Sequence, residues 1–476
     1  MNPNLQNTPT AAAQLADPEK ALYPEPVNQS LTGPPSYNAV YQPPTWMPRQ
    51  GRERNVRRRR FWHFTACAVL LFMFGRPLVS HVASFVAKFT DKDVIRVPMH
   101  DPSWAHPPTA DPSDCADTVN WTLDSSRGHG DWPYHAHTSL AFPIDAEELF
   151  FRAEGPLAHG TFEVSHSKDV GRDAIIDVDV SYRVQDALSE ATVCHLRPSD
   201  DRHGLGIFTR RWDYPHDHEY QLRFNIHVRL PATGNSEALT INGLSTHLPQ
   251  FSHHLRQLAD TAVFKSIHLS TTNAGMRADS LLADVAGLRS TNGRIEGTFN
   301  TTTSLDLYTS NGPIVVRANL LNDDEDAGTT ATLRTSNAVI QAQVGLYASS
   351  HDATGGAFRV DTRTSNGPIT LSFVDQPANS QLNASAVSSN SPVRASVHPG
   401  FEGTFELHSS WFAPPSVEQN GPVRDPLGRD RRRDVQVNTI RKGAIRGQID
   451  WQPKHKDAKS GHIGLETSNA HAILAV

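Results

Sequence analysis

One short motif, two hydroxyl residues followed by asparagine and a small residue, occurs seven times along the second half of the chain. The copies centre on Asn273, Asn292, Asn311, Asn337, Asn366, Asn390 and Asn469, and the first six are 19, 19, 26, 29 and 24 residues apart. Upstream of each asparagine, apolar residues fall at alternate positions, as in Ile267 with Leu269, Leu305 with Leu307, and Ile463 with Leu465. Downstream the alternation resumes, as in Ile314 with Val316 and Ile369 with Leu371. A period of two marks a strand with one buried face, so each copy reads as strand, corner, strand.

Asparagine before glycine between strands is also a hairpin signal, and a stack of hairpins in a β-sandwich is the competing architecture. Ala or Ser fills the glycine position in four copies (Ala274, Ala338, Ser391, Ala470), so positive φ is not generally required there. Asparagine itself visits the left-handed region cheaply. The preferred reading is therefore a corner after which the chain continues, with coils stacked so that amides and hydroxyls form ladders, as in a β-solenoid. Variable spacing then corresponds to loops bulging from one side, the most acidic being Asn322 to Asp326.

The fold class expected is thus all-β, a solenoid-like stack over 261–476 preceded by a β-rich subdomain over 115–260. In the latter, Ile176 to Val184 and Leu222 to Leu230 alternate strictly and read as half-buried antiparallel strands. A degenerate copy at Gly403 to Trp411 has Trp where the motif has Asn, and an insertion lies near 412–444, exposed over 414–433.

Ahead of these segments, residues 1–56 are rich in Pro, Gln, Asn and Ser without apolar periodicity and read as a disordered tail. Within it, Pro34-Pro35-Ser36-Tyr37 matches the PPxY ligand of WW domains, which would make a WW-domain protein, such as a ubiquitin ligase, a partner. Arg57 to Arg60 lead into an apolar run from Phe61, so 57–82 reads as a basic flank and one transmembrane signal anchor, with 83–114 as linker. The arginines would keep the tail cytoplasmic and export the rest, giving a single-pass type II membrane protein of an endomembrane, vacuole or the plasma membrane. Export agrees with glycosylation sequons at Asn120, Asn300 and Asn383. It also favours a disulfide between Cys115 and Cys194, with two buried thiols as the alternative.

The repeats, the alternating strand ending in Leu230-Pro231 and the closing Leu465-Glu-Thr467-Ser468-Asn469 together resemble the putative-adhesin domain family of bacteria and fungi, over about residues 145–476. The Pro-rich tail is similar to that of fungal membrane-anchored members. The resemblance implies a stacked β-strand fold and a role in adhesion.

Histidine is abundant, at 24 residues, which raises metal binding. His129, Asp131, His135 and His137 form one group and His216, Asp217, His218 and Glu219 another. Neither follows a catalytic spacing, so no metal, cofactor or catalytic residue is assigned. Acids at Asp306, Asp361 and Glu466 give no convergent pair for glycoside cleavage, though a carbohydrate-active enzyme on a β-helix is the alternative class. Net charge of −6 gives no reason to expect nucleic acid. The expected function is binding or adhesion at a membrane or cell surface, toward a glycan or protein ligand.

Overall fold

Alternate residues of nearly every strand are buried, and two such strands joined by a corner bury their apolar faces against each other. The computed structural model describes residues 114–124, 130–168, 171–210, 218–232, 238–322, 327–349, 354–419, 421, 423–454 and 459–476. Corner by corner, the chain builds two facing sheets in which the strand of one sheet is the crossover between parallel neighbours of the other.

In the first sheet the parallel run begins at Leu222–Pro231 beside Ala158–Ser167 and passes through Phe251–Gln257 to Met276–Ser290. It continues through Ile295–Thr309, Ile314–Asn322, Ile340–Ala348, Ile369–Asp375 and Val393–Ser396. In the second, Arg202–Thr209, Glu148–Glu154, Leu239–His247 and Ala262–Ser270 lead to the distal half of Met276–Ser290. Ile295–Thr309, Thr329–Arg334, Ala357–Thr364 and Gln381–Ser388 follow. Both long strands, Met276–Ser290 and Ile295–Thr309, bend from one sheet into the other. A single apolar core runs the length of the stack, from Phe142 through Phe224, Phe264, Phe299 and Ile340 to Leu474.

Antiparallel strands close both ends. At the start of the first sheet, Ala174–Tyr182 pairs with Leu222–Pro231 and Tyr134–Phe142 pairs with the outer edge of Ala174–Tyr182. In the second, Cys115–Thr118 pairs with Ala191–Ser199, and Cys115 is disulfide-bonded to Cys194.

At the far end the coil order departs from chain order. Gly461–Thr467 lies between Gln381–Ser388 and Gly403–His408, parallel to both. Ala472–Ala475 likewise lies between Val393–Ser396 and Ser416–Glu418. The last coil in sequence is therefore the penultimate coil in space. The coil bearing the degenerate motif is the terminal one, covered in the second sheet by Ala444–Gln452 and then Arg432–Arg441, both antiparallel.

Two expectations are corrected. The segment 414–433 is not exposed throughout, because the carboxylate of Asp425 and the guanidinium of Arg431 are buried and paired at 2.8 Å, with Glu402 3.3 Å from Arg431. Asp425 also accepts the backbone N–H groups of Leu427, Arg429 and Arg431, folding this segment around one side chain. Its bonds with the Arg431 guanidinium, with those N–H groups in support, hold its carboxyl far below the usual range. The expectation of one transmembrane helix, and with it of a single-pass membrane protein, is also overturned. Among the described residues no helix is long and apolar enough to cross a membrane, since the apolar residues are spent at alternate strand positions. The apolar run within 57–82, the tail with Pro34, Pro35 and Tyr37, and the acidic residues 323–326 lie outside the described residues.

One histidine lies wholly in the core. His253 Nδ1 donates to the Phe251 carbonyl (3.1 Å), and Nε2 accepts from the Thr246 hydroxyl (2.8 Å). Burial pushes its pKa down to about 4. The buried ion pair and the buried neutral imidazole are each open to test. Asp425→Ala leaves Arg431 with Glu402 alone and lowers the unfolding free energy by about 3 kcal/mol in urea titration. For His253 the unfolded chain binds the extra proton, so stability is complete above about pH 6.5 and falls by about 3 kcal/mol as pH drops toward 4. His253→Gln should flatten that part of the profile, and an unchanged slope would assign the pH dependence elsewhere.

Candidate functional site

The corner motif resolves into three ladders, each using one of its residues. The hydroxyl residue two before the asparagine is buried, at Thr271, Ser290, Thr309, Thr335, Thr364, Ser388 and Thr467. It bolts one coil to the preceding one in the stack. Thr309 Oγ1 donates to the Gly293 carbonyl (3.2 Å) and accepts the Gly312 N–H of its own coil (3.0 Å). Ser290 and Thr364 repeat both bonds, and Ser388 does so with Gly367 and Ser391.

The second ladder is main chain. Each asparagine N–H from Asn292 onward meets the carbonyl of the hydroxyl residue before the asparagine below, as in Asn311 to Thr291 (2.9 Å) and Asn390 to Ser365 (2.9 Å). The third is the amide ladder. Asn292 Nδ2 donates to Asn273 Oδ1, Asn311 to Asn292, Asn337 to Asn311, Asn366 to Asn337, Asn390 to Asn366 and Asn469 to Asn390, all at 2.7 or 2.8 Å. Asn273 in turn donates to Gln250 Oε1 (3.2 Å).

None of the seven asparagines has positive φ, which corrects the expected left-handed corner. Asparagine is used here for an amide that can donate and accept along the stack axis. Where glycine follows, it answers to close approach instead. A Cβ on Gly293 would lie 1.6 Å from the Ala274 carbonyl oxygen beneath it.

The seven amides are exposed, and beside them runs a row of hydroxyls, exposed at Thr291, Ser365, Ser389 and Ser468 and half-buried at Thr272, Ser310 and Ser336. At about 4.8 Å per rung the amide row is about 29 Å long. Within each interior amide one N–H and one lone pair are committed to the ladder, leaving the others directed to solvent. The terminal coil ends the row. Three residues beyond the paired His408 and Glu466 stand Trp411 and Asn469, so the indole occupies the next rung, 74% exposed.

The other residues singled out in the sequence are dispersed. Asn120 and Asn383 are exposed, whereas the Asn300 amide is held between the Leu281 carbonyl (2.8 Å) and Asn319 (2.7 Å) in a short second amide ladder. His135 and His137 share a strand face, His135 bonded to Ser181 (3.0 Å), while His218 and Glu219 are exposed on a separate segment. His129, His216 and Asp217 lie outside the described residues. Among the described residues no group of three His, Cys, Asp or Glu side chains could hold a metal ion. Asp306 and Asp361 occupy the same position on strands separated by Thr329–Arg334, and Glu466 falls in a different row.

One feature is not legible from the motif. Residues of Ala158–Ser167, Ala174–Tyr182 and Leu222–Pro231 line a shallow cleft of about 370 Å³, formed by Thr161, Asp179, Ser181, Arg223 and Asn225 with the buried Phe224. Thr161 donates to Asn225 across its floor (2.6 Å). Alternation marks Thr161, Asp179, Ser181, Arg223 and Asn225 as outward, but which strands become neighbours is a tertiary fact.

No family model matches the sequence, and no curated protein matches it. Among solved structures, a match is found to "a putative cell adhesion protein" from Clostridium sporogenes, covering 71% of this chain and 97% of that one. At 7% identity and a TM-score of 0.15, that likeness carries no argument.

The ladder itself is open to test. In Asn311→Asp the Oδ1 acceptor for Asn337 survives, but a carboxylate oxygen then faces Asn292 Oδ1. Stability should fall by about 1–3 kcal/mol at pH 7 and partly recover near pH 4, where the carboxyl is protonated and can donate. Thermal unfolding at the two pH values measures both effects.

Proposed function

We propose that this chain is a non-enzymatic, adhesin-like binding protein whose exposed corner ridge engages a linear glycan. The observation that carries this reading is the double row of amides and hydroxyls repeating once per rung. A linear polymer of hydroxylated units can meet the same donor and acceptor pattern many times along such a row. The amides are already immobilised by one another, so little side-chain entropy remains to be lost on contact. The resemblance of the repeats to adhesin domains points the same way. Each contact is weak and exposed to water, so affinity must come from the number of rungs engaged.

The test is a glycan array probed with the full chain. Retention of long linear glycans, weak retention of their mono- and disaccharides, and absence of released product are expected. Replacing Asn337 and Asn366 together with alanine should reduce retention about tenfold while the chain still folds. Release of shortened products would instead favour the glycan-cleaving class, and equal retention by the double variant would remove the ridge from the interface.

A further inference from the structure

The terminal coil carries a second feature, adjoining the end of the ridge at Trp411. The strand Arg432–Arg441 pairs with Ala444–Gln452 along one edge, and its other edge has no strand partner among the described residues. Ten residues is long for an unpaired edge, and from Gln436 to Arg441 both faces are exposed. Natural edges are commonly guarded by a charge in the middle of the strand. Here the middle, Val435 to Thr439, carries none.

Apolar surface gathers around the same place. Val437 is 41% exposed and Ile440 52%. The hairpin turn beyond Ile440 is held to the terminal coil by the Ser409 N–H, which donates to the Gly443 carbonyl (2.8 Å). That contact brings the turn to the segment bearing Trp411 and Phe412, which are 74% and 60% exposed and stacked edge to face on each other. Half of the exposed large apolar side chains among the described residues thus belong to this end of the molecule.

The charge around the edge is predominantly basic. With Arg431 held by Asp425, the stretch 429–442 has Arg429, Arg432, Arg433, Arg441 and Lys442 against Asp430 and Asp434. Arg433 presents Nε and Nη2 buried without a hydrogen-bond partner among the described residues. We propose that Arg432–Arg441 is a docking edge to which an extended acidic segment of another protein adds as a further strand, its apolar residues facing Val437, Ile440 and the Trp411–Phe412 pair. Main-chain hydrogen bonds would supply affinity, and the basic flanks would select the partner. The same charges disfavour a second copy of this chain, because symmetric antiparallel pairing would set Arg432 of each copy against Arg441 of the other.

Fluorescence anisotropy of the full chain with a labelled nine-residue peptide alternating glutamate and valine tests the proposal. Binding that weakens with salt is expected, and a peptide alternating lysine and valine should bind at least about tenfold more weakly. Methylating alternate backbone nitrogens of the acidic peptide should abolish binding without altering the protein. The double variant Arg432→Glu, Arg441→Glu should reverse the preference between the two peptides. No binding, equal binding of both peptides, or indifference to backbone methylation would overturn the proposal. So would sedimentation showing that the chain alone forms a dimer that the double reversal changes.

Discussion

The interlock at the corner is the constraint on which the rest of the structure depends. A chain that turns through a corner at every rung leaves backbone N–H and C=O groups there that no strand ladder can serve, and buried groups of that kind must be paired. The motif pairs them between coils. The buried hydroxyl two before the asparagine holds a carbonyl below and an N–H of its own coil, while the asparagine N–H takes the next carbonyl. Because these bonds join one coil to the next, the register of each coil is inherited from its neighbour. A slip by one residue would turn every apolar side chain outward, so the corner and the core enforce the same alignment.

The existence of the repeats, their strand character and the stacking of the asparagines could be read from the sequence, because each leaves a local periodic signal. Thr309 and its equivalents show how much a spacing can carry, since the same hydroxyl recurs wherever the same two bonds are needed. What the asparagine does could not be read from its backbone propensity. Asn and Gly after a strand suggest left-handed turns, yet the seven asparagines keep ordinary φ, and Gly293 is small because a carbonyl lies beneath it. Both facts concern the neighbouring coil, which no local pattern describes. The cleft around Asp179 and Arg223 was hidden for the same reason, as the strand Leu222–Pro231 inserts between Ala158–Ser167 and Ala174–Tyr182, which are consecutive in the chain.

The far end shows how a break in a repeat can be informative. Along the chain, the copy with Trp411 stands between Asn390 and Asn469 and looks like a decayed rung in the middle of a series. In space Asn469 bonds directly to Asn390 across 79 residues of sequence, and Trp411 lies beyond them both. The terminal coil stacks on the Asn469 coil through strand pairing, without the motif's bolt. Ser409 turns its hydroxyl to the Ala413 carbonyl, within its own segment, and not to the coil below.

The amide ladder also has a direction. Every Nδ2 points to the asparagine nearer the start of the stack, so the amide dipoles align and each bond polarises the next. One end terminates on Gln250 Oε1; at the other, Asn469 Oδ1 has no donor among the described residues. A row of fixed, aligned amides presents the same face at each rung, which is why the ligand proposed for it has a repeat of its own. The free edge at Arg432–Arg441 differs in kind, since what it offers is backbone and charge. The two proposed modes of contact, one distributed along the flank and one confined to the end, meet at Trp411, on the rung beyond Asn469.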